Sequence, residues 1–154
     1  MSSETLRTSG IADLINESGK FDSVKNKLNK LNREKDFKEM QKLGGTPDYV
    51  IGSVHAVTSE GHVFIASNTG SQLPAYIYGA SHVIWVIGTQ KIVEDDSEAL
   101  KRIYDYVLPK ESVRLADQYG NPEIKSNVSK LVIVNKEFNP ERIKIIFVKE
   151  SLGF

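Results

Sequence analysis

The chain has 154 residues, of which 40% are apolar and 26% are charged, and it contains no cysteine. These values are typical of one globular domain. They exclude disulfides, thiolate metal sites and iron–sulfur clusters held by cysteines of this chain. No apolar run approaches the roughly 20 residues that span a bilayer, and the N-terminus lacks the basic and apolar regions of a secretory signal. We therefore expect a cytoplasmic protein with one domain over residues 1–154 and no membrane span.

The formal net charge is zero, but basic residues are concentrated near the N-terminus. Between Lys20 and Lys42 there are eight Lys or Arg residues and four Asp or Glu residues. A basic segment can bind nucleic acid, yet this one has few aromatic residues and matches no nucleic-acid-binding motif. A solvated helix face accounts for it better, so we do not expect nucleic-acid binding.

The first half of the chain predicts one helix followed by two strands. Apolar residues recur at helical spacing over residues 21–43, which predicts a single helix. The apolar and β-branched run over residues 49–57 predicts a strand, and residues 62–66 predict a second one. A short helix ending near Tyr78 should follow.

The second half begins with a nearly continuous apolar run over residues 81–88, which predicts an interior strand covered on both faces. Acidic residues and a serine at positions 95–97 suit the start of a helix. Its apolar stripe consists of Ala99, Leu100, Ile103, Tyr104 and Val107.

That helix either ends near Pro109 or continues to Tyr119. Residues 130–135 and 143–148 predict the last two strands. Helices that alternate with buried strands indicate an α/β fold with a largely parallel sheet.

Small polar residues follow the predicted strand at residues 62–66, in the segment "SNTGSQLPA". In parallel sheets, ligands bind beyond the carboxyl ends of strands, and unpaired N–H groups at a helix start favour an anion. From these residues alone, the segment is either a capped turn or a ligand loop. The residues concerned are Asn68, Thr69, Gly70, Ser71 and Gln72.

Three other residues could carry chemistry. Lys91 directly follows the interior strand, where its ammonium could meet a phosphate or carboxylate or could simply face solvent. His55 could titrate near neutrality, and Glu60 is either a catalytic acid or a turn residue. Neither has a partner at an interpretable spacing, so both stand only as catalytic candidates. The three scattered histidines predict no metal site.

Several motifs at their spacings resemble one family. The stretch "DYVIGSVHAVTSEGHVFIASNTGSQLPAYIYGASHVIWVIGTQKIV" (residues 48–93) carries "TSEG", "SNTGSQLP" and "GTQKIV". With "ALKRIYDYVLP" and "LVIVNKEFNPERIKIIFVKESLGF" further on, it resembles the LUD domain of lactate-utilisation proteins. The resemblance implies a three-layer α/β/α fold similar to ribose-5-phosphate isomerase, glucosamine-phosphate deaminase and CoA transferases.

The resemblance also implies where a ligand would bind. By position, the loop from Asn68 to Gln72 is the expected contact, with Lys91 on the next strand end. Further candidates on the neighbouring strand end are Ser53, His55, Thr58 and Glu60. The implied ligand is a small anion, whether a phosphate, a carboxylate or a CoA-like molecule, and no cofactor is expected to bind through cysteine.

The family's role is linked to oxidation of L-lactate to pyruvate beside partners that carry iron–sulfur clusters. Three functions remain open: an accessory or ligand-binding subunit, a stand-alone enzyme acting on a sugar phosphate or a CoA-linked molecule, and a degenerate paralogue without a ligand. For a CoA transferase the nearest glutamate is Glu60, but its surrounding motif does not match.

Compared with the family, the chain is expected to lack an N-terminal portion. That loss would leave a sheet edge or a core face open, which predicts either a homodimer or poor stability. The shortened start would also place Ser2, Ser3 and Thr5 at a possible second anion loop.

Overall fold

The structure is a computed structural model that describes residues 3–154. Its helices are α1 (Glu4–Thr8), α2 (Ile11–Glu17), α3 (Val24–Leu28), α4 (Phe37–Gly45), α5 (Asp96–Arg102) and α6 (Leu108–Tyr119). Its strands are β1 (Tyr49–Gly52), β2 (Ala56–Thr58), β3 (Val63–Ser67), β4 (His82–Gly88), β5 (Ile92–Val93), β6 (Lys130–Val134) and β7 (Ile143–Val148). Single turns of π-helix occupy Ala75–Gly79 and Ile103–Val107, and Thr89–Lys91 form a 3₁₀ turn.

The strands form two sheets that divide the fold into a parallel part and a mixed part. In the first sheet, β1, β4 and β7 lie in that order and all run parallel. In the second, the order is β5-β2-β3-β6, with β3 antiparallel to both of its neighbours and β5 parallel to β2. The fold is therefore α/β with a largely parallel sheet, as predicted. However, β3, which precedes the "SNTGSQ" loop, lies in the mixed sheet and not in the parallel one.

The interior strand is confirmed as β4, which pairs with β1 on one side and β7 on the other. Its residues Val83, Trp85 and Ile87 are at most 1% exposed and belong to the main core cluster. The ring of Tyr76 meets Trp85 edge-on at 5.7 Å between centroids. A nearly continuous apolar run predicted this position because a central strand buries both faces.

The single strand predicted over residues 49–57 is wrong, since the chain changes sheets within it. β1 ends at Gly52 and β2 begins at Ala56 in the other sheet. Gly52 lies against the Tyr76 ring, and a Cβ atom there would come 1.6 Å from the Tyr76 hydroxyl. Because Tyr76 comes from a distant turn, the local β-branched pattern did not indicate this break.

The single helix predicted over residues 21–43 is also wrong, since α3 and α4 are separate. Between them, the Asn32 side chain accepts hydrogen bonds from the N–H groups of Glu34 and Lys35, and Asp36 accepts one from the N–H of Asn32. Such side-chain bonds to the backbone compete with helix formation. They hold the chain in a turn between α3, which ends at Leu28, and α4, which begins at Phe37.

The helix predicted from residues 95–97 is confirmed, and it continues to Tyr119. Asp95 caps it by accepting a hydrogen bond from the Glu98 N–H at 2.9 Å. A π-helical turn ends at Val107, and α6 begins at Leu108 with Pro109 in its first turn and runs on to Tyr119. Two of the five predicted stripe residues, Leu100 and Tyr104, are instead 37% and 48% exposed.

Within residues 3–154, no helix combines the length and the apolar character needed to cross a membrane.

Candidate functional site

Lys91 lies at the carboxyl edge of the parallel sheet. β4 ends at Gly88, and the following 3₁₀ turn directs the lysine back into the fold, where it is 2% exposed. Its ammonium donates to the Thr5 hydroxyl at 3.0 Å, the Ser53 hydroxyl at 3.2 Å and the Val54 carbonyl at 3.1 Å. Three acceptors match the three donors of an ammonium, so Lys91 joins α1 to the segment between β1 and β2.

Burial first, and then the Arg102 cation, lower the pKa of Lys91 from 10.5 to about 8. All three hydrogen-bond partners of the ammonium are neutral oxygens. A buried charge is costly when no opposite charge compensates it. The lysine is therefore charged at neutral pH, and none of the acidic residues in the described part of the chain pairs with it.

Arg102, the last residue of α5, adds a second cation. Its Nε donates to the His55 carbonyl at 3.0 Å, and its guanidinium carbon lies 4.8 Å from the centroid of the Tyr106 ring. Its Nη2 is buried and has no hydrogen-bond partner in the described chain. Burial also lowers the pKa of the Arg102 guanidinium. Among residues 3–154, no Asp or Glu forms an ion pair with Lys91 or Arg102.

His55 lies beside both cations and is partly buried. Its Nδ1 accepts a hydrogen bond from the backbone N–H of Ala66 at 3.0 Å. Burial first, and then the charges of Lys91 and Arg102, lower its pKa from 6.5 to about 4.

The imidazole of His55 is therefore neutral at pH 7. Because Nδ1 uses its lone pair as an acceptor, the ring proton resides on Nε2. The side chain can donate a hydrogen bond through Nε2 but is poorly suited to act as a base at neutral pH.

The "SNTGSQ" loop, residues 67–72, satisfies most of its polar groups internally. Ser67 Oγ accepts from the Gly70 N–H at 2.8 Å and donates to Gln72 Oε1 at 2.9 Å. Gly70 has φ of +83°, and the aliphatic part of Lys130 passes where a Cβ atom would stand, 2.7 Å from Cδ. The glycine is therefore required by the turn itself.

The remaining loop side chains also bond to protein groups. Thr69 and Ser71 are joined by their hydroxyls at 3.2 Å, and Asn68 Oδ1 accepts from the Ser129 hydroxyl at 3.1 Å. The Ser71 N–H donates to Thr69 Oγ1 at 3.4 Å. The two loop N–H groups of Gly70 and Ser71 are thus engaged with serine and threonine oxygens rather than directed outward together.

The structure brings some of the sequence candidates together and separates others. Ser53, His55 and Lys91 lie in one cluster at the start of β2. Thr58 lies at the opposite end of β2, where its hydroxyl accepts from the His62 N–H at 3.0 Å. Glu60 is exposed in the turn that follows. The two catalytic candidates, His55 and Glu60, are therefore at opposite ends of one strand.

Sequence reasoning missed one residue of the cluster and misplaced another. Arg102 was not a candidate, although it occupies a helical position between the buried Ala99 and Ile103. A charged residue beside an apolar stripe was the signal that could have identified it. Thr5 was assigned to a second anion loop. It is instead 1% exposed, accepts from Lys91 and donates to the Leu152 carbonyl at 3.2 Å.

The other residues of that expected second loop differ in position. Ser3 caps α1 by accepting from the Leu6 N–H at 3.4 Å. Ser2 lies outside the described residues.

The described part of the chain contains no group of three or more His, Asp or Glu side chains placed to hold a metal ion. The arrangement of Lys91, Arg102 and His55 instead offers two positive charges and a neutral N–H donor. These groups are suited to an anion.

Comparison with protein-family models identified a match to the LUD domain over residues 2–148. Searches of curated proteins and of solved structures returned no match. Because the family model covers nearly the whole chain, the protein belongs to the LUD domain family.

Proposed function

We propose that this protein is a ligand-binding subunit in the oxidation of L-lactate to pyruvate, and that it binds a small carboxylate beside Lys91, Arg102 and His55. Membership of the LUD domain family supports the metabolic role. The observation that carries the binding role is the pair of cations without an acidic partner among residues 3–154.

The two cations of the cluster are costly to hold in the folded chain. Lys91 is almost completely buried and Arg102 partly so, and each lowers the pKa of His55. Removing a cation from water is unfavourable unless hydrogen bonds and an opposite charge offset the loss. A bound anion would supply that opposite charge, so ligand binding should stabilise the fold.

The available donors favour a carboxylate over a phosphate. The three donors of Lys91 are occupied, which leaves the two Nη groups of Arg102, whose Nε alone has an acceptor among the described residues, and His55 Nε2–H. Two of these groups can bind the two oxygens of a carboxylate, or one carboxylate oxygen and a neighbouring keto or hydroxyl oxygen. Phosphate sites commonly add several convergent backbone N–H groups. In the "SNTGSQ" loop, the N–H groups of Gly70 and Ser71 bond to side chains of the loop.

The electrons released by lactate oxidation need an acceptor. Iron–sulfur clusters are held by cysteine thiolates, and this chain has no cysteine. We assign the clusters to partner subunits, which makes this chain an accessory component of the complex.

Isothermal titration calorimetry tests the binding role. L-lactate and pyruvate should bind more tightly than inorganic phosphate or CoA. Arg102→Gln should weaken carboxylate binding by about 10- to 100-fold, because hydrogen bonds to charged groups contribute about 1.5–3 kcal/mol. Lys101→Gln is the matched control, since Lys101 is the adjacent helix residue and its side chain is 65% exposed. Equal affinity in the wild type and Arg102→Gln would contradict the site.

Co-elution tests the accessory role separately. The purified chain should co-elute with the cluster-bearing subunits of a lactate-oxidation complex during size-exclusion chromatography. Carboxylate binding without co-elution would retain the ligand site and reject the role within the complex.

A further inference from the structure

Strand β7 leaves one edge of the parallel sheet unpaired. It pairs with β4 on its inner side through six residues, and within residues 3–154 no strand pairs with its outer side. An open edge of this length exposes backbone N–H and C=O groups that can add another strand.

The same strand exposes apolar side chains on both faces of the sheet. Ile145, Ile146 and Phe147 are 38%, 50% and 48% exposed, whereas the neighbouring β4 is mostly buried. Consecutive strand residues point to opposite faces, so the outer strand lacks cover above and below. An exposed apolar edge strand marks an association site or an aggregation hazard.

The backbone direction determines how another strand could pair here. The Val83 N–H donates to the Arg142 carbonyl, and Val83 lies opposite Ile143. In a parallel ladder, a residue bonds to the two residues that flank its partner. The backbone groups of Arg142 and Lys144 therefore face β4, and those of Ile143, Ile145 and Phe147 face the open edge.

We propose that the occupant is β7 of a second copy, paired antiparallel about a twofold axis at Ile145, so that two parallel sheets join into one. This register places Ile145 opposite its symmetry mate and Ile143 opposite Phe147 of the other copy. All of these residues direct their backbone groups outward, so they form the hydrogen-bonded pairs of an antiparallel ladder. The resulting interface is closed and isologous.

Charge complementarity supports a second copy as the partner. Glu141 lies in the turn two residues before β7, and Lys149 directly follows the strand. Continued past the strand ends, this register brings Glu141 of each copy towards Lys149 of the other, and both residues are exposed. Neither forms an ion pair within the described chain. The formal net charge of zero also means that long-range repulsion does not oppose self-association.

Sedimentation equilibrium over a range of protein concentrations tests the proposal. The wild type should be a reversible dimer. Ile145→Lys should raise the dimer dissociation constant at least about tenfold, because it places two like charges directly opposite each other. Ile133→Lys is the control, since Ile133 is a β6 residue with 43% exposure outside the proposed interface, and it should leave the dimer unchanged.

A charge-swap series tests the register without altering the apolar strand. Glu141→Lys and Lys149→Glu should each weaken the dimer, and the double variant should restore it. Circular dichroism should show that all variants remain folded. A monomeric wild type, a larger oligomer, a dimer unaffected by Ile145→Lys, or single charge variants without rescue in the double variant would each overturn the proposal.

Discussion

The cation cluster of Lys91, Arg102 and His55 differs from the "SNTGSQ" loop in how its polar groups are satisfied. The loop is rich in hydroxyls and amides, but they bond to one another and to Ser129. The cluster has fewer polar residues, yet Arg102 Nη2 is buried without a hydrogen-bond partner in the described chain. Within residues 3–154, Lys91 and Arg102 also have no acidic partner. Among the described residues, unpaired charge is therefore found in the cation cluster and not in the loop, although the loop is richer in polar groups.

The largest expected effect is an acid sensitivity that originates at His55, where the two regions meet. Its pKa is about 4 in the folded chain, against 6.5 as the ordinary value. Between these values the unfolded chain binds a proton that the folded chain does not. The stabilisation is therefore complete above pH 6.5 and decreases as the pH falls from 6.5 to 4. A tenfold change in proton affinity corresponds to about 1.4 kcal/mol, so the loss is at most about 3 kcal/mol.

Urea unfolding at a series of pH values measures this effect in the wild type and in His55→Gln. A glutamine can still accept from the Ala66 N–H but does not titrate. Carboxylate contributions are common to both proteins and cancel in the difference. If the two curves of unfolding free energy against pH remained parallel between pH 6.5 and 4, neither burial nor the two cations would lower the pKa of His55 in the folded chain.

Gly70→Ala tests whether the loop is mainly a turn. An alanine at φ of +83° is strained, which should lower the free energy of unfolding by about 1 kcal/mol. The contact with Lys130 should add little, because the outer part of a lysine side chain can move. Chemical denaturation should show this loss, while calorimetry on the folded variant should show unchanged carboxylate affinity. A tenfold loss of affinity would instead make the loop part of the site.

Ser71→Ala should have the smallest effect. Ser71 is exposed, and its hydroxyl bonds only to Thr69 among the described residues. Surface changes of this kind usually alter stability by less than about 0.5 kcal/mol. Thermal unfolding and carboxylate titration should both match the wild type. A marked change in ligand affinity with unchanged stability would transfer the binding role from the cation cluster to the loop.

The interior strand, the last two strands and the start of α5 were predictable because each depends on a local pattern. An uninterrupted apolar run predicts β4, and Asp95 predicts the helix start through a bond three residues away. The break at Gly52 was not predictable in the same way, because it depends on the Tyr76 ring. The division between α3 and α4 had a local signal in Asn32 and Asp36, but the apolar spacing concealed it.

For the candidate site, the residue types at the strand ends predicted Ser53, His55 and Lys91 but gave no reason to include Arg102. The sequence by itself determined the α/β class, the LUD family motifs and the absence of cysteine ligands. Tertiary structure decided which polar groups are paired. Lys91 donates a hydrogen bond to Thr5, which is 86 residues away in the sequence, and Arg102 donates one to His55, which is 47 residues away. Hydrogen-bond satisfaction at such separations depends on how the sheets and helices pack, and no local pattern of residues encodes it.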